Sequence, residues 1–515
     1  MKRRLLRVAC LALLLAYWSP DSQAADYFLT IGGGYAPMGN QASLEKNVQL
    51  FQQLVKEQYP ADQPHAIFFS DGSNPGRDLQ YHDPKLVIPP INQALAQIFG
   101  KGDNLAYQYR THQVQSIQGG SNRKNIQQWF EKTATRLKSN DRLFIYVTAH
   151  GGKSESRRQP YNTTLYLWNS EKISVTEFSN LLDKVPNEVA VMTVMVQCHC
   201  GGFADLIFNQ ADPTKGTSAA NRCGFFATVY DRPAAGCTPD IDEENYQEYS
   251  TYFWEAIRGV TRTGKPVGNC DYDKNGSISF GEAHAYAVIT SSTIDISVST
   301  SDSFLRAYGK PPRGNRSVPN TLLSADSPFD QLFKTATPSQ QAILTGLSQQ
   351  LKLSAKNRGQ EAWNLAKAVS DQKQRPTSQL NSKSKELTTL RREIRNQLTQ
   401  AWPELTEPFH PALPGLLEKQ GDQIFATIRK HPRHGRLEQL EKEIDQLQSQ
   451  VMDLDRRWAK AQRLLKALET VALAANLPQV ASEEIQQRYQ QLLEAEAGTF
   501  GSPDAKVARQ DSPPE

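Results

Sequence analysis

The chain has 515 residues, with 58 Lys and Arg against 54 Asp and Glu, a net charge of +4 and 38% hydrophobic residues. That length admits two or three domains and at least one full core. A charge so near balance, with basic residues spread along the chain, excludes the electrostatic footprint of a nucleic-acid-binding protein.

The amino terminus reads Met1-Lys2-Arg3-Arg4, then an apolar stretch over residues 5–18, then a polar step to Ser22-Gln23-Ala24. A positive start, a short apolar middle and small residues at the cut predict a signal peptide over residues 1–24 and an exported, periplasmic or extracellular protein. The apolar stretch is short for a bilayer span and no later segment reads as transmembrane, so no stable membrane anchor is expected. Removal of the signal takes Cys10 and leaves Cys198, Cys200, Cys223, Cys237 and Cys270. An odd number in an oxidising compartment favours one free thiol, for which Cys198 is the choice. The other four either pair or stay reduced, and their spacing does not decide.

Over residues 26–308, strand-like runs at 27–31, 65–70, 143–149, 189–196 and 224–230 alternate with helical runs at 41–55, 125–137 and 175–182. A short apolar piece stands at 164–168. This alternation predicts an α/β fold, a mainly parallel sheet with helices on both faces. Two of the strands end in reactive side chains. The run 143–149 leads into His150-Gly151-Gly152, and the run 189–196 into Gln197-Cys198-His199-Cys200-Gly201-Gly202. In open α/β sheets the cleft lies beyond the carboxyl ends of parallel strands, so this His and Cys would meet over one edge. A thiol becomes a nucleophile as thiolate, and a nearby imidazole stabilises that form or protonates the leaving group. The glycines permit tight turns and leave backbone N–H groups free to face a developing oxyanion. A zinc site at Cys198, His199 and Cys200 is the weaker reading, because adjacent residues of an extended run point to opposite faces and no second Cys/His pair stands at ligand spacing.

The segments Tyr146-Val147-Thr148-Ala149-His150-Gly151-Gly152 and Cys198-His199-Cys200-Gly201-Gly202 resemble the caspase-like clan of cysteine peptidases, which holds caspases, metacaspases, legumains and gingipains. The second segment is close to the Cys-His-Ser-Gly of metacaspases and the Cys-x-Ser-Gly of legumains. The 48-residue separation of His150 from Cys198 also suits the clan. The resemblance covers residues 26–307 and implies a caspase-like fold there. It further implies that Cys198 attacks a peptide bond to form an acyl-enzyme, with His150 as acid and base. Backbone N–H groups of Gly151 and Cys198 would hold the oxyanion. Two positions depart from the metacaspase pattern. Val196 stands where an acid precedes the nucleophile, so a preference for basic residues before the cut is not implied, and Cys200 replaces the Ser, which would place a redox-sensitive neighbour beside the nucleophile.

Farther on, Asp271-Tyr272-Asp273-Lys274-Asn275-Gly276-Ser277-Ile278-Ser279-Phe280-Gly281-Glu282 matches the twelve-residue EF-hand pattern. Asp271, Asp273, Asn275, Ser279 and Glu282 supply side-chain oxygens, Ser277 its backbone, and Gly276 the bend. Helical runs at 251–260 and 282–288 flank the loop. A single loop inside a catalytic domain predicts a structural calcium ion that fixes the segment around Cys270, since sensor hands come in pairs. Asp205 and Asp231 are candidates for a specificity pocket, each with a plain surface or capping role as the alternative. Gly32-Gly33-Gly34 lacks the Lys-Ser/Thr of a phosphate loop and reads as a turn.

Residues 309–330, rich in Pro, Ser and Asn, read as a linker. Thr337-Pro338 then opens a helical region over 331–500. Leu437, Leu440, Ile444, Leu447, Val451, Leu454, Trp458, Ala461, Leu465, Leu468 and Ala472 step by threes and fours, the spacing of a coiled coil. The shorter run Leu387, Leu390, Ile394 and Ala401 offers a partner within the chain, and self-association with a second chain is the other arrangement. Residues 501–515 read as a disordered tail. The whole predicts an exported cysteine endopeptidase with a bound calcium ion, a protein or peptide substrate and a coiled-coil extension. The alternative is a catalytically idle scaffold of the same fold that assembles partners through the coiled coil.

Overall fold

The longest apolar runs of the first half pair side by side, because a parallel strand covered on both faces needs an almost unbroken apolar sequence. A computed structural model describes residues 24–59, 63–100, 102, 105–311, 321–407 and 409–501; residues 1–23 of the predicted signal segment, Cys10 among them, residues 312–320 of the linker and the tail after Gly501 lie outside the described residues. In chain order the strands are β1 (Asp26–Gly33), β2 (His65–Phe69), β3 (Leu79–His82), β4 (Tyr107–Arg110), β5 (Arg142–Ala149), β6 (Gly151–Gly152), β7 (Thr164–Tyr166), β8 (Lys172–Ser174), β9 (Ala190–Met195), β10 (Arg222–Phe226) and β11 (Val298–Ser299). Six of them form a central sheet in the order β2-β1-β5-β9-β10-β11. Every neighbouring pair is parallel except β10 with β11. The fold is α/β with a mostly parallel sheet, as the alternation predicts.

The helices around this sheet are α1 (Ala42–Gln58), α2 (Pro90–Phe99), α3 (Arg123–Ala134), α4 (Val175–Leu182), α5 (Tyr249–Arg258), α6 (Phe280–Thr290) and α7 (Thr300–Tyr308). Several start on a side-chain cap. Ser174 with Glu177, Ser279 with Glu282 and Ser299 with Asp302 each complete a reciprocal capping box at the starts of α4, α6 and α7. The strand expected over 224–230 leaves the sheet at Phe226, because the thiol of Cys200 bonds Thr228 on both its N–H (3.4 Å) and its carbonyl (3.6 Å) and pulls the chain aside.

The second half is α8 (Phe329–Thr335), α9 (Pro338–Leu351), α10 (Arg358–Ala401), α11 (Leu413–Lys430), α12 (His434–Val480) and α13 (Glu483–Glu496). Thr337 caps α9 with Pro338 in its first turn, as predicted. α10 and α12 lie antiparallel, an arrangement fixed by the pairs Lys383–Glu443 (2.6 Å), Arg436–Glu386 (2.8 Å) and Arg391–Glu441 (2.9 Å). Leu387, Leu390, Ile394 and Leu398 pack there against Leu437, Leu440 and Ile444. The seam is therefore used within the chain. It also departs from the predicted register in places. Ala401 is exposed and Leu398 replaces it, while Leu464 is buried in place of the half-buried Leu465. Leu447, Val451, Leu454 and Trp458 are only half-buried.

This helical region is stitched into the sheet domain and is not a free extension. Leu473, Leu477, Tyr489, Leu492 and Phe500 belong to the same core as Phe28, Phe144 and Trp254. Phe280 N–H donates to the Gly498 carbonyl (2.9 Å), and Arg142 reaches the carbonyl of Thr499 (3.0 Å). Among the described residues no helix is long and apolar enough to cross a membrane.

Glu496 ties α13 to α7, accepting from the hydroxyl of Thr300 (2.7 Å) and the N–H of Ser301 (2.8 Å), and burial pushes its carboxyl up to about 7. The folded chain thus holds this proton more tightly than the unfolded chain, whose value is about 4.3. The stability it contributes is complete below the unfolded value and is lost as pH rises through the folded one. Glu496→Gln keeps the acceptor oxygen and removes the charge. Denaturant unfolding is expected to show little change at low pH and a gain of about 1–3 kcal/mol above pH ~7.

Candidate active site

His150 and Cys198 emerge at the same level of the sheet. β5 pairs with β9 in parallel register from Arg142↔Ala190 to Val147↔Met195, so both residues stand equally far beyond the last pair. β6 then turns away from the sheet to pair with β7, which brings Gly151 against the backbone of Cys198. A Cβ at Gly151 would lie 2.2 Å from the Cys198 carbonyl oxygen and 2.6 Å from Gln197 Cγ. Only glycine permits that approach, so the residue after His150 has a steric reason to lack a side chain.

The imidazole is oriented from the other side. His150 Nε2 lies 2.7 Å from the Gly39 carbonyl and 3.0 Å from Gln41 Oε1. A carbonyl only accepts, so Nε2 carries the proton and Nδ1 keeps a free lone pair. The Tyr35 ring meets the imidazole edge-on, 5.3 Å between centroids. Burial holds His150 below the ordinary imidazole value, opposed by the bond to Gly39. The turn that presents Gly39 depends on the glycine run after β1. A Cβ at Gly34 would lie 2.1 Å from the Gly39 carbonyl oxygen, which gives these glycines a packing role in the site. Asn40 pins the same turn: its Oδ1 accepts from Gly34 N–H (3.0 Å), and its Nδ2 donates to Ser70 Oγ (2.8 Å) and the Asp78 carbonyl (2.9 Å).

Cys198 is partly buried, and burial raises its thiol above the usual value. The N–H of Ala234, 3.3 Å from Sγ, opposes that rise, whereas Asp295 adds to it. Asp295 accepts from Ala235 N–H (2.7 Å) through Oδ1, leaves Oδ2 without a partner, and is pushed up to about 6 by burial. At neutral pH the resting pair is therefore thiol and neutral imidazole. The five described cysteines, Cys198, Cys200, Cys223, Cys237 and Cys270, are all free in this structure.

The neighbours of Cys198 are spent on structure. His199 sits in the left-handed region (φ 63°), its Nδ1 3.0 Å from the Tyr230 carbonyl and its own carbonyl accepting from Thr163 Oγ1 (2.9 Å). Cys200 is fully buried and engaged with Thr228, so burial holds it protonated and it is no redox partner at the surface. Cys198, His199 and Cys200 form no metal-ligating cluster among the described residues. Asp205, a pocket candidate, is 1% exposed and gives its carboxylate to Ser303 and Arg306, so it faces the interior. Asp231 is exposed beside His199 and Tyr161. Gly39, Gln41, Tyr35 and Asp295 carry no sequence motif. Of these only Asp295, an acid between Ile294 and Ile296, gave a signal that could have been read.

The loop after α5 has the folded form of a cation loop. Asp271 accepts from Asn275 and Gly276 N–H groups (3.0 and 2.9 Å), Asp273 from Asn275 (3.0 Å), and Asn275 Oδ1 from Ser277 (2.9 Å). Gly276 takes φ 82°, which lets the chain bend there. Carboxylate oxygens of Asp271, Asp273 and Glu282 lie within 4.8 Å of one another. This hard, all-oxygen donor set fits calcium chemistry. Glu282 also accepts from Tyr272, Asp273 and Ser279 N–H groups, and Ser279 spends its hydroxyl on capping α6. A second convergence, unread in the sequence, joins Asp71, Asp78 and His112.

No family model matches this sequence, and no curated protein matches it. A crystal structure of a protein from Geobacter sulfurreducens is similar over 42% of this chain and 77% of that chain, at 12% identity and a TM-score of 0.25. A likeness so loose says nothing about what the chain does.

Proposed function

We propose that the chain is an exported cysteine endopeptidase of caspase-like type, with Cys198 as nucleophile, His150 as acid and base, and a structural calcium ion in the loop 271–282. The observation that carries this reading is the shared register of His150 and Cys198 on adjacent parallel strands, with Gly151 closing the gap between their backbones. The order β2-β1-β5-β9-β10 with an antiparallel β11 at the edge supports it.

In this mechanism the Cys198 proton passes to Nδ1 of His150, the nitrogen that the Gly39 bond leaves free. Sulfur then attacks the peptide carbonyl carbon. The oxyanion is met by the N–H groups of Gly151 and Cys198. Collapse breaks the C–N bond, and the imidazolium returns its proton to the departing amine. Water, deprotonated by the same nitrogen, cleaves the thioester and restores the thiol. A bound calcium ion would offset most of the charge of Asp271, Asp273 and Glu282 and hold the entry to α6.

Turnover of a diverse peptide library by wild type, and its absence in Cys198→Ala, tests the peptidase. The calcium assignment has its own readout. Calcium at about a hundredfold its dissociation constant is expected to stabilise the wild type by about 2.7 kcal/mol. Asp271→Ala should lose that gain, and a calorimetric titration showing no heat of binding to wild type would remove the ion from the proposal.

A further inference from the structure

The sulfur of Cys198 is occupied by the chain itself. Ala234 N–H donates to Sγ at 3.3 Å, and the Ala234 carbonyl lies 3.9 Å from the same atom. The segment 231–237 that carries Ala234 is held at further points, among them the Cys237 thiol on the Ala149 carbonyl (4.0 Å) and an Arg232 guanidinium N–H on the Ile294 carbonyl (3.4 Å). The Arg232 carbonyl accepts from His199 N–H (2.9 Å), Ala235 N–H donates to Asp295 (2.7 Å), and the Arg232 side chain leaves the sheet domain for the helical hairpin. There Arg232 pairs with Asp455 of α12 at 2.7 Å and lies over the Trp458 ring, 4.7 Å from its centroid. Asp455 is shared with Lys373 of α10, so one carboxylate binds both hairpin helices and the segment over the thiol. α12 grips the far side as well: Arg463 donates to the carbonyls of Val288 and Ser291 (3.0 and 2.7 Å) and of Thr293 (2.9 Å), just before Asp295.

A nucleophilic sulfur attacks through a lone pair, and here one lone pair accepts from Ala234 while the Ala234 peptide takes up space within 3.9 Å of the sulfur. Resting on the reading of Cys198 as nucleophile, we infer that residues 231–237 are a self-occupying strap and that the α10–α12 hairpin, through Asp455 and Trp458, sets how often it lifts. The strap's other anchors lie within the sheet domain. Only the Arg232 anchor reports the position of the hairpin, so that contact makes access to the thiol depend on a surface distant from the cleft. The strap is a two-position element biased by an ion pair and a cation–π contact.

The test is alkylation of Cys198 in the full chain by iodoacetamide, followed at that residue by mass spectrometry. Asp455→Asn and Trp458→Ala are each expected to speed it about threefold, and the double variant about tenfold, the sum of two such contacts at 1.4 kcal/mol per decade. Arg232→Ala removes both contacts from the strap side and should also label about tenfold faster, with no further gain when Asp455→Asn is added to it. Protection of the buried Cys223 and Cys270 reports an intact fold in each variant. A double variant that keeps that protection and labels at the wild-type rate overturns the strap. So does Arg232→Ala labelling at the wild-type rate, which covers the case where the double variant fails to fold. Labelling needs no peptide hydrolysis. Faster labelling without turnover by any variant would keep the strap and remove the peptidase, and turnover with unaltered labelling would do the reverse.

Discussion

Cys198→Ala is expected to lower peptide-bond hydrolysis by at least ~10⁴-fold with no loss of stability, because it removes the only atom that forms the acyl bond. His150→Ala should cost about as much, since thiol and imidazole act as a unit and effects within a unit do not add. A more discriminating variant touches neither group. Gly151→Ala places a Cβ 2.2 Å from the Cys198 carbonyl oxygen, and the backbone must yield. A displacement near 1 Å costs about 10²-fold in rate, so a large loss is expected with both reactive groups intact. The pH profile of kcat/KM carries a further signature. His150 must be neutral to accept the thiol proton, and burial lowers its value, so the acid limb should fall below the usual imidazole range. Burial raises Cys198, so the alkaline limb should lie above the usual thiol range. Full turnover by Cys198→Ala would refute the assignment outright.

Phe500→Ala is expected to destabilise the protein by about 3–5 kcal/mol, the usual cost of truncating a buried aromatic ring without collapse of the site. Its ring is 5% exposed and meets Phe28, Phe51, Tyr59, Phe144 and Trp254 at centroid separations from 5.3 to 6.0 Å. The neighbours come from β1, α1, β5 and α5, so the void would open inside the sheet domain. Denaturant unfolding should show one cooperative transition at a lower midpoint. A loss below ~1 kcal/mol would mean that the cavity refills and that this end of the chain is dispensable.

The features legible in the sequence are those with a local signature. The parallel strands announce themselves as unbroken apolar runs, His150 and Cys198 as polar residues at the ends of two of them, and the loop 271–282 as oxygen donors at fixed offsets. Thr337-Pro338 marks a helix start by side-chain chemistry alone. What stayed hidden is made by backbone or by distance. Gly39 orients the imidazole with a carbonyl, which every residue possesses. Asp205 looks like any acid near a nucleophile until Arg306, about a hundred residues later, claims it. The heptad spacing is indifferent to which helix fills each position, so it could not foresee that Leu464 would be fully buried in the cluster with α9 while Leu465 packs only at its margin. Phe500 follows a polar helix, and nothing near it in sequence says that its partners begin at Phe28.

That last pairing has a consequence for biosynthesis. Phe28 and Trp254 wait for Phe500, so their aromatic cluster stays incomplete until the chain has been made as far as residue 500. The sheet domain therefore closes its core only once residue 500 has been made, and folding of the first half is tied to completion of the second.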